Sequence, residues 1–317
     1  MPTTLLILDL AGAVALLLWG LHMVQTGIRR AFGSDLRRVL GRLVGGRLRA
    51  VLAGLGVTAA LQSSTATGLT VASLAADGLI ATAPALAVML GANIGTTLIV
   101  QLLAFDVGHL APAAVLVGVV MFRTGGVTRS RDLGRVAIGL GLMLIALPRL
   151  VAVLAPHEHD PGLRAAIAAV SADPVMALIA AAFVTWIVHS SAATVLLVMS
   201  FASQGVIDAP GAIALVLGAN LGTAVNPVVE GQGGPAGKRV AVGNLAMRGF
   251  GAVVVLVALP LVAPLAARLV PAPDRLVADV HTVFNLALAL AFLPLLGPVA
   301  RLLERSFPDR VEASDPS

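Results

Sequence analysis

The sequence predicts an all-α membrane protein of two inverted repeats, each with a re-entrant helical hairpin and a broken helix, and about seven full crossings. Composition, the lengths of the apolar runs and an internal repeat all lead there. Of 317 residues, 58% are hydrophobic and 12% charged, about half the charge of a soluble domain, which is roughly 25%. That is too little polar material to cover a soluble globule. The hydrophobicity comes in long runs rather than in alternation, which argues against an outer-membrane barrel. The 33 glycines and 18 prolines suit membrane helices, whose neighbours re-satisfy the backbone. With no cysteine there is neither a disulfide framework nor a thiolate metal site. The net charge of +5 reports basic loops rather than a nucleic-acid surface. The expected partner is therefore the lipid bilayer, and the expected location a cell (inner) membrane crossed several times.

A crossing needs about 20 mostly apolar residues. Such runs lie near 4–28, 84–104, 108–124, 134–154, 211–229, 240–263 and 276–298. The first is too long for a signal-peptide core and is taken as a retained span. Two further apolar stretches, 50–76 and 177–203, are interrupted at their midpoints. The interruptions are Gln62-Ser63-Ser64-Thr65-Ala66-Thr67 and His189-Ser190-Ser191-Ala192-Ala193-Thr194. About 13 residues on either side reach roughly 20 Å at 1.5 Å per residue, enough to get to the bilayer midplane and return. Both stretches are therefore predicted as hairpins with polar tips. The basic clusters Arg29 to Arg49, Arg123 to Arg135, Lys238-Arg239 and Arg301 to Arg305 all fall on one side if the hairpins do not cross. Positive-inside makes that side cytoplasmic and leaves the acidic link 155–173 outside.

Shifting the sequence by 127 residues lays one hairpin on the other. Residues 62–97 match 189–224 at 18 of 36 positions without a gap, which is duplication rather than shared apolarity. The chain then divides into a first repeat, 1–130, with hairpin 50–76, and a second, 131–265, with hairpin 177–203. A last span lies in 266–300, and 301–317 is a short charged tail. Three crossings separate the hairpins, so the second copy is expected to be inverted, with the two tips meeting near mid-membrane. Inverted repeats with interrupted helices at that depth characterise secondary transporters.

The chemistry is in the interruptions. A helix broken inside a membrane exposes N–H groups at one end and carbonyls at the other. N-terminal ends with serine hydroxyls suit an oxyanion; carbonyl ends suit a small hard cation. The bland alternative is Ser and Thr gluing helices together. Gly91-Ala92-Asn93-Ile94-Gly95-Thr96-Thr97 and Gly218-Ala219-Asn220-Leu221-Gly222-Thr223 are read as unwound turns, because two glycines make unwinding cheap. Their alternative is a close-packed small-residue interface. Arg248, about eight residues inside its span, either faces a cavity or snorkels. Asp279 and His281, near the start of the last span, either titrate in a cavity or sit at the interface, and the interface is the reading taken.

These tips and turns resemble the sodium-dependent phosphate symporter family, which includes the type II cotransporters of animals. That family carries two Gln-Ser-Ser-Ser-type tips, each followed by a Gly-Ala-Asn-Ile-Gly-Thr-Thr-type turn. The Gly20-Leu21-His22-Met23 region and Ala278 to Asn285 resemble it as well. Thr65 and Ala192 replace the third serine of each tip, and His189 the second glutamine. The resemblance implies import of inorganic phosphate with sodium as coupling ion, by alternating access, with no other cofactor or metal. Phosphate is then assigned to Gln62, Ser63, Ser64, Asn93, Ser190, Ser191, Asn220 and Arg248. Sodium is assigned to Thr65, Thr67, Thr96, His189, Thr194 and Thr223. His189 adds a charge that changes near neutral pH. Another oxyanion, proton coupling and a passive anion channel are the alternatives. No enzyme is expected, since no G-x-S-x-G elbow occurs. The expectation is a member without the C-terminal regulatory domain of many bacterial relatives; a homo-oligomer is left open.

Overall fold

The computed structural model describes residues 3–42, 46–104, 110–126, 128–154, 161–231 and 234–309. Among them every regular element is a helix: α1 (Thr3–Arg42), α2 (Arg47–Leu61), α3 (Ser64–Ala76), α4 (Thr82–Ala104), α5 (Leu110–Thr124), α6 (Thr128–Leu154), α7 (Pro161–Ala172), α8 (Pro174–Val188), α9 (Ser191–Ser203), α10 (Ala209–Glu230), α11 (Gly234–Val257), α12 (Leu259–Leu269), α13 (Pro273–Phe292) and α14 (Leu296–Ser306). Of the features expected above, residues 155–160 of the acidic link and the tail beyond residue 309 lie outside the described residues.

Both interrupted stretches break where the polar clusters fall. α2 ends at Gln62, which turns left-handed with φ 52° and donates its N–H to Thr58 O. Ser63 is extended and caps α3, its hydroxyl accepting from Ala66 N at 3.1 Å. The second break repeats this at the offset of 127. His189 has φ 58° and donates to Thr185 O, and Ser190 accepts from Ala193 N at 3.2 Å. A hydroxyl pair staples each pair of arms: Thr58 donates to Thr67, and Thr185 to Thr194, both at 2.8 Å. The second arms end at Gly78 and Gly205, with φ of 71° and 65°, a conformation open to glycine without steric cost.

The expected broken helices are not present. α4 and α10 run unbroken through Gly91 to Thr97 and Gly218 to Ala224. The glycines permit close approach instead of unwinding. A Cβ on Gly91 would lie 1.8 Å from Val51 O, and one on Gly95 2.6 Å from Leu55 O. At the offset of 127, a Cβ on Gly218 would lie 2.1 Å from Leu178 O, and one on Gly222 2.4 Å from Ala182 O. Each hairpin's first arm is therefore pressed backbone to backbone on the long helix that follows it. This is the small-residue interface that the sequence left as the alternative.

Among the described residues, five helices have the length and composition to cross a membrane: Ala11–Phe32 within α1, α4, α10, α11 and α13. A sixth is reached if 165–172 and 174–188, bent by 108°, count as one span. The run expected at 108–124 falls short of a crossing, since α5 has 15 residues, about 22 Å of helix, whereas the run expected at 134–154 lies within the single 27-residue helix α6. The run 240–263 is divided at Ala258, just before Pro260, and 276–298 is divided after Phe292. Proline cannot donate the N–H that a continuing helix needs.

The halves are interleaved. α1 packs on α6, a Cβ on Gly20 falling 2.7 Å from Gly139 O. α3 packs on α10, where a Cβ on Gly68 would lie 3.2 Å from Pro227 Cγ. Reciprocally, α9 packs on α4: Ala192, Ala193 and Leu196 share one core with Ile99, Val100 and Leu103. Each hairpin's second arm is thus held by the other repeat's central helix. The outer faces of α11 to α13 expose Phe250, Val254, Leu261, Leu269 and Leu290, a surface matched to lipid tails.

Candidate functional site

At the centre α4, α10, α11 and α13 exchange polar side chains in a region otherwise built of apolar residues. Asn93 of α4 and Asn220 of α10, equivalent by the 127 offset, are each 1% exposed. Arg248 of α11 lies between them, buried, and so does not snorkel. Its Nη2 donates to Asn93 Oδ1, and its Nη1 donates to the Asn220 carbonyl and, at 2.8 Å, to Thr223 Oγ1. Asn93 Nδ2 donates to Asn244 Oδ1 at 3.1 Å. Asn285 Nδ2 donates to Asn220 Oδ1 at 2.9 Å and to His281 O at 2.8 Å. Asn220 Nδ2 is spent on Val216 O. Thr96 belongs to the same helix as Asn93, but its hydroxyl donates to Ala92 O.

The hairpin tips contribute unevenly. Ser64 and Ser191, at the first turns of α3 and α9, are buried with their helix N-termini. Ser63 and Ser190 serve as caps. Thr67 and Thr194 are engaged within their own hairpins, each donating to the carbonyl of the capping serine. Gln62 accepts on its backbone oxygen from Gln25 Nε2 at 3.3 Å. Gln62 Oε1 and Thr65 Oγ1 are buried with no protein partner. His189 is half exposed, its Nδ1 lying 3.4 Å from Glu230 Oε1. Glu230 in turn lines a cavity of about 490 Å³ that runs along Leu69, Ala72 and Ser73 of α3.

Several residues escaped the sequence reading. Asn226 of α10 is fully buried with neither amide atom partnered, beside Pro227, where α3 touches α10. His281 is buried with both ring nitrogens unpartnered, not at the interface where it was expected. Asn244 and Asn285 complete the network. Periodicity held a signal for two of them, since Asn244 lies one turn before Arg248 and Asn285 one turn after His281. Leaving a buried polar atom without a partner costs about 1–3 kcal/mol. Such atoms therefore gather where a further hydrogen-bonding or ligating species is to be met.

Apolar helices around a buried, asparagine-rich polar centre, together with two helix pairs broken at capped polar tips, define a multi-pass membrane protein. The chain belongs to the Na+/Pi-cotransporter family, whose profile matches residues 16–151 and 158–265. Over 309 residues, 97% of this chain, it is 38% identical to the Escherichia coli K12 protein named "Putative inorganic phosphate export protein YjbB". It is 39% identical to the protein of that name from Salmonella typhimurium, again over 97% of this chain. The chain spans about half the length of these curated relatives, 57% in both cases. Bacillus subtilis YqeW, an uncharacterized protein, is 26% identical over 96% of this chain and 99% of its own length. No solved structure matches.

Proposed function

We propose that the chain moves inorganic phosphate across the membrane by alternating access, coupled to sodium. The reading is carried by one observation. Two capped helix N-termini, α3 and α9, begin inside the molecule at serine pairs, each packed against the opposite repeat's central helix. Such ends offer backbone N–H groups and hydroxyls to an oxyanion, and Ser64 and Ser191 there are buried. Gln62, Ser63, Ser64, Ser190 and Ser191 bind phosphate there, with Asn93 and Asn220 in the wall and Arg248 supplying positive charge. Sodium is held at Thr65 and the carbonyls beside each break. Thr67 and Thr194 act by fixing the tips. The repeats 1–130 and 131–265 are inserted in opposite senses, and one rocks against the other.

Direction follows from charge. Bringing a phosphate dianion inward against 100 mV costs about 4.6 kcal/mol, and each inward sodium recovers about 2.3 kcal/mol plus roughly 1.4 per tenfold gradient. With a tenfold sodium gradient import therefore requires two or more sodium ions, whereas coupling to at most one leaves outward movement of the dianion favoured, by about 0.9 kcal/mol with one. The name of the relatives favours the outward direction for this chain as well. The test is labelled phosphate flux in proteoliposomes of the full chain, with sodium or choline on either side. Saturable flux stimulated by sodium is expected. Flux that is equal in choline refutes coupling, and the absence of saturable phosphate flux refutes the cargo.

A further inference from the structure

Arg248 is surrounded by neutral oxygen rather than by negative charge. Its three acceptors are a backbone carbonyl, a hydroxyl and an amide oxygen, converging from α4 and α10. Among the described residues no carboxylate pairs with it. A buried cation is usually matched by an acid. Carbonyl, amide and hydroxyl oxygens gathered around one cationic group are instead of the kind with which proteins replace the hydration shell of a small monovalent metal cation inside a membrane. Neighbouring bonds hold these oxygens in place. Asn93 Nδ2 is spent on Asn244 at 3.1 Å, which turns Oδ1 toward the guanidinium. The Thr223 hydroxyl donates to Asn220 O at 3.3 Å, which leaves its lone pairs for Arg248.

We propose that Asn93 Oδ1, Asn220 O and Thr223 Oγ1 form a seat for a monovalent cation, and that the Arg248 guanidinium is its tethered occupant. The group stands where a dissociable sodium ion would otherwise bind. At the equivalent position of the first repeat, residue 121 is methionine, so the tether belongs to one repeat only. The geometry is independent of the transport reading, while its consequence for transport rests on that reading. A tethered cation lends its charge to a bound anion on every cycle but does not cross with it. The chain then couples one sodium fewer per anion than it would with a neutral residue at 248. Each cycle moves more net negative charge, which an interior-negative potential drives outward.

The experiment is equilibrium binding of radioactive sodium to the purified full chain, in the absence of phosphate, so that it reads out whether or not phosphate is the cargo. Arg248→Gln is expected to bind one more sodium ion per chain than the wild type, and to unfold at a higher temperature in sodium than in choline. Arg248→Lys, which keeps a tethered charge, is expected to match the wild type in both. An unchanged sodium count in folded Arg248→Gln overturns the proposal, as does an equal gain in Arg248→Lys. If Arg248→Gln does not fold in either salt, Thr223→Val decides. Sodium binding unchanged from wild type supports a seat already filled, and loss of one sodium ion shows that Thr223 holds sodium and overturns it.

Discussion

Gln62 and His189 hold a backbone conformation that costs a residue with a Cβ about 1–2 kcal/mol. Glycine would occupy it freely, so their side chains are retained against a local penalty. Gln62 places an unpartnered Oε1 in the interior, and His189 directs Nδ1 toward Glu230. Gln62→Gly is accordingly expected to raise stability by about 1 kcal/mol while abolishing most phosphate flux. Gln62→Ala keeps the strain and loses flux without the gain. Thermal unfolding in detergent alongside proteoliposome flux separates these effects, and a Gly variant that transports normally removes Gln62 from the site. The polar tips were legible in the sequence because both clusters interrupt an otherwise apolar run. The left-handed turn was not, since glycine, its usual marker, is absent from both tips and Gln carries no preference for it.

At the scale of elements, the contacts between α2 and α4 and between α8 and α10 leave no room for a single methyl group. Gly91→Ala puts a Cβ 1.8 Å from Val51 O, so the two backbones must part. The expected loss is about 3 kcal/mol. Gly56→Ala on the same hairpin meets nothing within 4 Å and should gain about 0.5–1 kcal/mol as a helix-interior glycine replacement. A melting comparison of the two variants tests the packing directly; equal melting temperatures would mean that α2 and α4 are not in backbone contact. The Gly-Ala-Asn-x-Gly-Thr runs misled the sequence reading for a physical reason. Glycine lowers the cost of unwinding and of close approach alike, and a local pattern does not say which neighbour will arrive.

At the scale of the whole molecule, reciprocal packing of α3 on α10 and α9 on α4 ties each hairpin's second arm to the other repeat's central helix. The orientation of the repeats can be tested chemically, because the chain has no cysteine. Asp77 at the end of the first hairpin and Asp208 at the end of the second are both exposed. Single variants Asp77→Cys and Asp208→Cys are expected to react with a membrane-impermeant thiol reagent from opposite sides of a vesicle. Labelling from the same side would rule out inversion.

Sequence alone determined the class, the two polar breaks at 62–63 and 189–190, and the duplication at 127. All three are carried by long apolar runs or by repeated identity, which need no knowledge of distant partners. Tertiary structure alone decided that α4 and α10 stay helical, that Arg248 turns inward, that Asn244 and Asn285 join the centre, and that Asn226 and His281 are buried. Those outcomes depend on which backbones meet and which buried polar atoms find acceptors. That is a property of helices far apart in sequence, since Asn93 and Arg248 touch across 155 residues.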